Sequence, residues 1–260
     1  MPTWLSTILL GLIEGITEFL PVSSTGHLLL AEHWLGHRSE LFNVVIQSGA
    51  VLAVLTVFLR RVTDLFVNWR KPENQDYLFK LAGAFLITAV GGLAMKKAGL
   101  ELQADPAPVA WATLIGGFLF LAVEYAFKDR KPSENVTWTI AIAVGLAQLV
   151  AAAFPGTSRS GSTILFALAL GLSRPAATEF AFLLGIPTLL AAGAKEIWDF
   201  TSESKPHEPW SMILLAGGVA ALSAFVVVRW LLAYVRSHKF TGFAIYRILL
   251  GTAILLLVRK

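Results

Sequence analysis

Pro21-Val22-Ser23-Ser24-Thr25-Gly26-His27 and Pro155-Gly156-Thr157-Ser158-Arg159-Ser160-Gly161-Ser162-Thr163 interrupt two otherwise apolar stretches of the chain. Hydroxyls and unpaired backbone groups are costly in hydrocarbon. Irregular backbone persists at membrane depth only where it lines a cavity enclosed by protein. Two such breaks, one in each half, predict one polar site shared between the halves.

Outside the breaks the chain is too apolar for water. Of its 260 residues 56% are hydrophobic and 15% charged, and its mean hydropathy is +0.68. Soluble proteins carry about 25% charge, so a polar surface cannot be assembled and lipid is the expected solvent. The net charge of +4 fits loops facing anionic lipid. The basic residues are scattered over short loops rather than gathered in one stripe, which argues against a nucleic-acid interface. The absence of cysteine excludes disulfides, a thiolate nucleophile and Cys-ligated zinc. Met1-Pro2-Thr3-Trp4-Leu5 has no basic region, and the run after it carries Glu14 and Glu18 instead of a small-residue cleavage site. It reads as part of the mature protein, not as a signal peptide.

About ten apolar helical segments are expected, at about 3–20, 24–36, 41–59, 77–95, 108–127, 137–154, 161–172, 176–198, 210–235 and 242–258. A full span needs about 20 residues. Segments 24–36 and 161–172 are too short, and with their predecessors they predict two re-entrant helix hairpins beside six full spans. Pro21 and Pro155 are 134 positions apart, and segments 108–127 and 242–258 have a similar offset. The expected fold is an all-α polytopic membrane protein, a single domain made of two repeats, about 1–130 and about 131–260. Each repeat holds one hairpin and three spans. The odd number inverts the second repeat, so the hairpins enter from opposite faces and their tips meet in the bilayer.

Twelve Lys and Arg residues would then lie on one side: Arg60, Arg61, Arg70, Lys71, Lys80, Lys128, Arg130, Lys131, Arg174, Arg229, Arg236 and Lys239. Seven would lie on the other: Arg38, Lys96, Lys97, Lys195, Lys205, Arg259 and Lys260. The richer side is expected to be cytoplasmic, which puts both termini and the mouth of the first hairpin outside.

The first break is preceded by Thr7, Gly11, Glu14 and Glu18, spaced to share one helix face. Two buried carboxylates one turn apart repel each other and call for a cation, a shared proton or an arginine. After Pro21 ends the incoming helix, Ser23, Ser24, Thr25 and Gly26 supply a cap and an anion-binding helix start, with His27 within reach of a hydroxyl there. In the second break, Arg159 offers a fork suited to phosphate. Gly156, Thr157, Ser158, Ser160, Gly161 and Ser162 around it resemble an anion nest. The negative charge of a diphosphate added to Glu14 and Glu18 exceeds what Arg159 and a protonated His27 can balance. A divalent cation, Mg2+ or Ca2+, bridging Glu14, Glu18 and phosphate oxygens would balance it.

The stretches Glu14-Gly-Ile-Thr-Glu18-Phe-Leu-Pro21-Val-Ser23-Ser24-Thr25-Gly26-His27 and Pro155-Gly156-Thr157-Ser158-Arg159-Ser160-Gly161 resemble the two signature motifs of bacterial undecaprenyl-diphosphate phosphatases of the bacitracin-resistance type. Ser173-Arg174, Glu179-Phe180, Leu183-Leu184-Gly185-Ile186-Pro187 and Phe243-Ala-Ile-Tyr246-Arg247 are similar to that family as well, so the likeness runs over nearly the whole chain. It implies an integral enzyme of the bacterial inner membrane that removes the terminal phosphate of a C55 polyprenyl diphosphate lipid. The monophosphate product is the carrier for peptidoglycan and other wall polymers. It also implies a divalent-metal requirement and an active site opening to the outer, periplasmic face.

On this reading Arg159 holds phosphate oxygens and Glu14 and Glu18 bind the cation. Ser24 is the preferred nucleophile, with His27 as its base or as the acid for the leaving group. Direct attack by His27, or water activated by it, stays open. A flippase or ion-coupled anion transporter on the same frame is the rival. Gln47 is a further candidate site residue and Gln148 an interhelical hydrogen-bonder. Glu124, Glu179 and Arg247, near span ends, are expected to anchor or snorkel. His33 and His37 are expected in solvent, and Trp4, Trp34, Trp69, Trp138 and Trp210 in an interfacial belt. Loops 60–76 and 199–209 carry no recognisable signal, and an oligomer is left open.

Overall fold

A computed structural model describes residues 2–100, 105–129, 131–203 and 207–258, with residues 201–203 described by backbone alone. Arg130, Lys205, Arg259 and Lys260, counted above for orientation, lie outside the described residues. The described chain is all helical. Its helices are α1 (Thr3–Thr17), α2 (Ser24–Leu35), α3 (Glu40–Val57), α4 (Leu59–Val67), α5 (Pro72–Ala98), α6 (Pro106–Ala126), α7 (Trp138–Ala153), α8 (Arg159–Ala169), α9 (Arg174–Glu203), α10 (Trp210–Tyr234) and α11 (Thr241–Leu257).

Two expectations change. There are eleven helices among the described residues, because the 60–76 region contains α4. Phe58 leaves helical geometry without a glycine or proline to signal it, and α4 then alternates buried Leu65 with charged Arg60, Arg61 and Asp64. Amides of Asn68 and Asn74 hold the exposed Asp64 carboxyl below its ordinary range. Among the described residues five helices rather than six, α3, α5, α6, α9 and α10, are long and apolar enough to cross a membrane. The sixth, α11, has 17 residues.

The chain is a multi-pass membrane protein with its polarity turned inward. Large apolar side chains such as Phe79, Leu86, Val90, Phe118, Leu222 and Leu249 face outward, and only 11% of the apolar window of α5 is buried. Glu14, Glu18, Ser160, Thr163 and Arg247 are buried inside. With hydrocarbon outside, helices associate through close packing, and small residues supply it. A Cβ on Gly11 would lie 2.5 Å from the Ala216 carbonyl oxygen, so α1 and α10 touch backbone to backbone. A Cβ on Gly117 would lie 2.8 Å from Ala244 O, and one on Gly251 would lie 2.7 Å from Ala110 O. That crossing of α6 and α11 repeats itself, since Gly117 and Gly251, like Ala110 and Ala244, are 134 positions apart.

The same offset recurs elsewhere. Ser39 caps α3 through Phe42 N, and Ser173 accepts from Ala176 N at the start of α9. Helix pairs recur too: α1 packs on α2 and α10, while α7 packs on α8 and α5. Of the two short arms, α8 is largely buried, with Ser160–Leu165, Ala167 and Leu168 inside, while α2 buries only Gly26 and Glu32.

Candidate active site

Each break is built around a serine in left-handed backbone. Ser23 has φ 75° and Ser158 has φ 69°. Non-glycine residues avoid this region, at a cost of about 1–3 kcal/mol each. In return each serine caps the helix that follows. Ser23 Oγ accepts from Gly26 N at 3.2 Å and Ser158 Oγ from Gly161 N at 3.1 Å. The next residue in each motif, Ser24 in one and Arg159 in the other, is delivered to the same carboxylate.

That carboxylate is Glu18, at the end of α1. Its Oε1 accepts from Arg159 Nη2 at 2.9 Å, and its Oε2 accepts from Ser24 Oγ at 2.7 Å and Gln47 Nε2 at 3.2 Å. One acid therefore joins α1, α2, α3 and α8. Gly185 of α9 makes room for the arginine, since a Cβ there would lie 2.2 Å from Arg159 Nη1. The guanidinium also stands 5.3 Å over the Phe19 ring. Ser160 Oγ donates to Leu20 O at 3.0 Å and so ties the second break to the first.

Two polar atoms of the cluster have no partner although both are buried: Glu14 Oε2 and Arg159 Nε. Glu14 itself is 1% exposed. Buried polar atoms are normally paired, so these two are open hydrogen-bonding positions beside Glu18. Glu14, Ser24, Thr25 and Gln47 line a cavity of about 310 Å³ whose other end carries Glu32, His37 and Asn43. Asn43 Oδ1 is a further unpartnered buried oxygen in that wall. Among the described residues no group of three His, Cys, Asp or Glu gathers as a ready metal site. Two carboxylates with neighbouring hydroxyl and amide oxygens do suit a hard cation that takes its remaining ligands from water or phosphate.

His27 lies elsewhere than the sequence reading placed it. Its Nδ1 meets Ser23 O at 2.7 Å and its Nε2 meets Tyr246 Oη at 2.7 Å; neither nitrogen contacts Ser24. Because a carbonyl only accepts, Nδ1 carries a proton, and Nε2 shares the second hydrogen bond with Tyr246 Oη. The proton acceptor beside Ser24 is Glu18. Other hydroxyls of the second break serve their own turn: Thr157 donates to Phe154 O at 2.6 Å and Thr163 to Arg159 O at 2.9 Å.

Arg247 was expected to snorkel and does not. It is 0% exposed. It donates to Thr157 O at 2.9 Å, Thr113 O at 3.1 Å, Pro21 O at 3.3 Å, Ala112 O at 3.3 Å and Gly156 O at 3.4 Å. Its five acceptors belong to both breaks and α6. The rule that singled out Arg159, an arginine inside an apolar run, applied equally to Tyr246-Arg247. Glu124 is likewise buried; it pairs with Arg174 and accepts from Phe240 N at 2.9 Å. Glu179 keeps a boundary position and pairs with Arg61 at 3.0 Å. Gln148 donates to Thr88 Oγ1 at 2.9 Å, across helices as expected, and His33 and His37 are exposed.

A strained serine cap repeated in both halves, with a shared acid between, is a specific arrangement, and the sequence around it is equally specific. The profile of the bacitracin resistance protein BacA matches residues 7–253. A protein of Rhizobium etli named undecaprenyl-diphosphatase is 54% identical over 254 residues, covering 97% of this chain and 96% of its own. Proteins of the same name from Xylella fastidiosa and Xanthomonas oryzae pv. oryzae are 54% and 50% identical, over 96% and 98% of this chain and 97% of each relative. With likeness of that extent running through both breaks, the chain belongs to the bacitracin resistance protein BacA family.

Proposed function

We propose that this protein hydrolyses undecaprenyl diphosphate to undecaprenyl phosphate and inorganic phosphate, which returns a lipid carrier to cell-wall synthesis. Glu18 carries the reading: it draws Ser24 of the first break and Arg159 of the second into one buried polar site. An acid, a hydroxyl, an arginine and two capped helix starts are the parts that phosphoryl transfer needs, since its catalysis is mostly positioning and charge stabilisation.

Arg159 leaves Glu18 for the terminal phosphate when substrate enters, and the unpartnered Arg159 Nε completes its fork. The first turns of α2 and α8 point their N–H groups at the anion. Ser24 Oγ attacks the terminal phosphorus and its proton passes to Glu18 Oε2. The bond to the bridging oxygen breaks, and undecaprenyl phosphate departs with that electron pair. Water then releases phosphate from the seryl ester. Direct attack by water would use Glu18 in the same way, and rapid-quench trapping of phosphoserine distinguishes the two. Glu14 and Glu18, with oxygens of Ser24 and Gln47 near them, would hold Mg2+ or Ca2+, which would neutralise diphosphate charge and polarise the phosphoryl group.

The two halves form an inverted repeat with α1–α2 and α7–α8 as re-entrant hairpins. The 134-residue recurrence of the α6–α11 crossing supports that relation. Lysine and arginine bias puts both termini and the cavity lined by Ser24 on the periplasmic side of the inner membrane.

Purified protein in detergent is expected to release inorganic phosphate from C55 diphosphate; a flippase or anion carrier on this frame would release none. EDTA is expected to abolish release, and added Mg2+ or Ca2+ to restore it. Glu14→Gln should raise the metal concentration needed for half activity by more than the ~10–100-fold that loss of an outer-shell partner causes. Full turnover in EDTA would remove the cation from the mechanism.

A further inference from the structure

A second cavity, of about 440 Å³, lies against the same first break but shares no lining residue with the polar one. Val22 and His27 form its break-side wall, and Trp230, Tyr234, Phe243 and Tyr246 of α10 and α11 face them. Its hydroxyl and imidazole groups are already engaged, and Trp230 adds only an indole N–H. Thr17 Oγ1 donates to Ile13 O at 2.7 Å, Tyr234 Oη to Lys239 O at 3.2 Å, and His27 lies between Ser23 O and Tyr246 Oη. Such a wall offers nothing to an ion and broad aromatic faces to hydrocarbon.

The short turn from Val22 to His27 is therefore a divide. Ser24 and Thr25 line the polar cavity; Val22 and His27 line the apolar one. An amphipathic substrate divides in the same way, into a charged diphosphate and a branched hydrocarbon chain. We propose that this groove takes the isoprenoid units nearest the diphosphate while the headgroup sits among Ser24, Glu18 and Arg159. Both cavities border the same short turn, on the two sides of Ser24, and this adjacency distinguishes the occupant from bulk lipid. The inference rests on the hydrolase reading given above.

A polyprenyl diphosphate bearing a diazirine in its first isoprene units, photolysed on the full-length protein, is expected to label Trp230–Tyr234 and Gly242–Tyr246. Unlabelled undecaprenyl diphosphate should displace the label and phosphatidylglycerol should not. Gly242 lines the groove, and the nearest atom to a Cβ there is Tyr234 Oη at 3.5 Å, so a side chain can be added without moving backbone. Gly242→Trp should cut labelling and raise KM for the C55 substrate about 10-fold or more, as loss of a hydrophobic subsite does, with kcat nearly unchanged. If Gly242→Trp fails to yield folded protein, Gly242→Leu serves the same test. Labelling confined to other helices, or displacement by phosphatidylglycerol as effective as by undecaprenyl diphosphate, overturns the proposal. In either case wild-type phosphate release would stand, whereas a protein that released no phosphate would sink the hydrolase reading itself.

Discussion

Arg159→Ala is expected to leave a folded protein whose phosphate release is lower by about 10³-fold or more, with kcat falling further than KM rises. Deleting one transition-state hydrogen-bond donor typically costs ~10²–10³ in kcat, and an arginine that stabilises a transferring phosphoryl group is worth ~10³–10⁵. Among the described residues this arginine is the only cation that meets Glu18. It stands between Phe19 and Gly185 in a slot no larger side chain at 185 would allow. Arg159→Lys should recover little, because an ammonium cannot present the planar fork and does not stack on Phe19 in the same way. Guanidinium ion added to Arg159→Ala should restore part of the rate, a rescue that a merely structural arginine would not give. Steady-state kinetics on protein with a wild-type melting temperature makes the comparison, and a loss of less than tenfold would take Arg159 out of the transition state.

The two breaks and the acids before them were legible because membrane depth makes polarity expensive. Glu14, Glu18, Ser24 and Arg159 stand out from apolar surroundings by residue type alone, and Pro21 and Pro155 mark where the helices stop. The meeting of the two breaks followed from their equivalence in the halves, and Glu18 with Arg159 at 2.9 Å is where that meeting occurs.

What eluded the sequence depended on direction rather than composition. His27 stands one turn past Ser23, and in a helix the residue four positions back is as reachable as a neighbour's hydroxyl. Its Nδ1 took the Ser23 carbonyl, and its far nitrogen took Tyr246 from a helix 219 positions away in sequence. No spacing announces that partner. The α3–α4 corner was hidden for another reason: Phe58 ends one helix and starts the next with no proline, glycine or polar cap to mark it. Further pairs of residues stand at the same 134-residue offset. Thr3-Trp4 returns as Thr137-Trp138, and Gly11 returns as Gly145, whose added Cβ would lie 2.9 Å from Ala84 O.

Arg247→Met is expected to do more general damage than any substitution at the reacting centre. The guanidinium is fully buried and its five acceptors are all carbonyl oxygens, two of them in the second break and one at Pro21 in the first. Truncation leaves those carbonyls facing a thioether, and each unsatisfied buried group costs about 1–3 kcal/mol. Thr113 Oγ1 still donates to Gly156 O at 3.0 Å, and Ala112 O and Thr113 O lie inside α6, where the helix's own N–H groups partner them, so the loss falls on Thr157 O and Pro21 O. The remainder is enough to lower the melting temperature in detergent by many degrees or to prevent folding. Arg247→Lys keeps the charge and offers three donors from a single point, so it should fold, melt lower than wild type, and turn over more slowly because the breaks are held less firmly. A second, independent route leads to the same outcome. A Cβ on Gly116 would lie 2.1 Å from Arg247 Nη2, so Gly116→Ala should displace the guanidinium and copy the Arg247→Lys phenotype although residue 116 carries no functional group. Because Arg247 acts on the backbone that presents Ser24 and Arg159, both variants should lower kcat for C55 diphosphate while leaving the groove labelled at the same residues. Wild-type melting and turnover in Arg247→Met would mean that the two breaks hold their shape without it, and that the strained caps at Ser23 and Ser158 are maintained by their own helices alone.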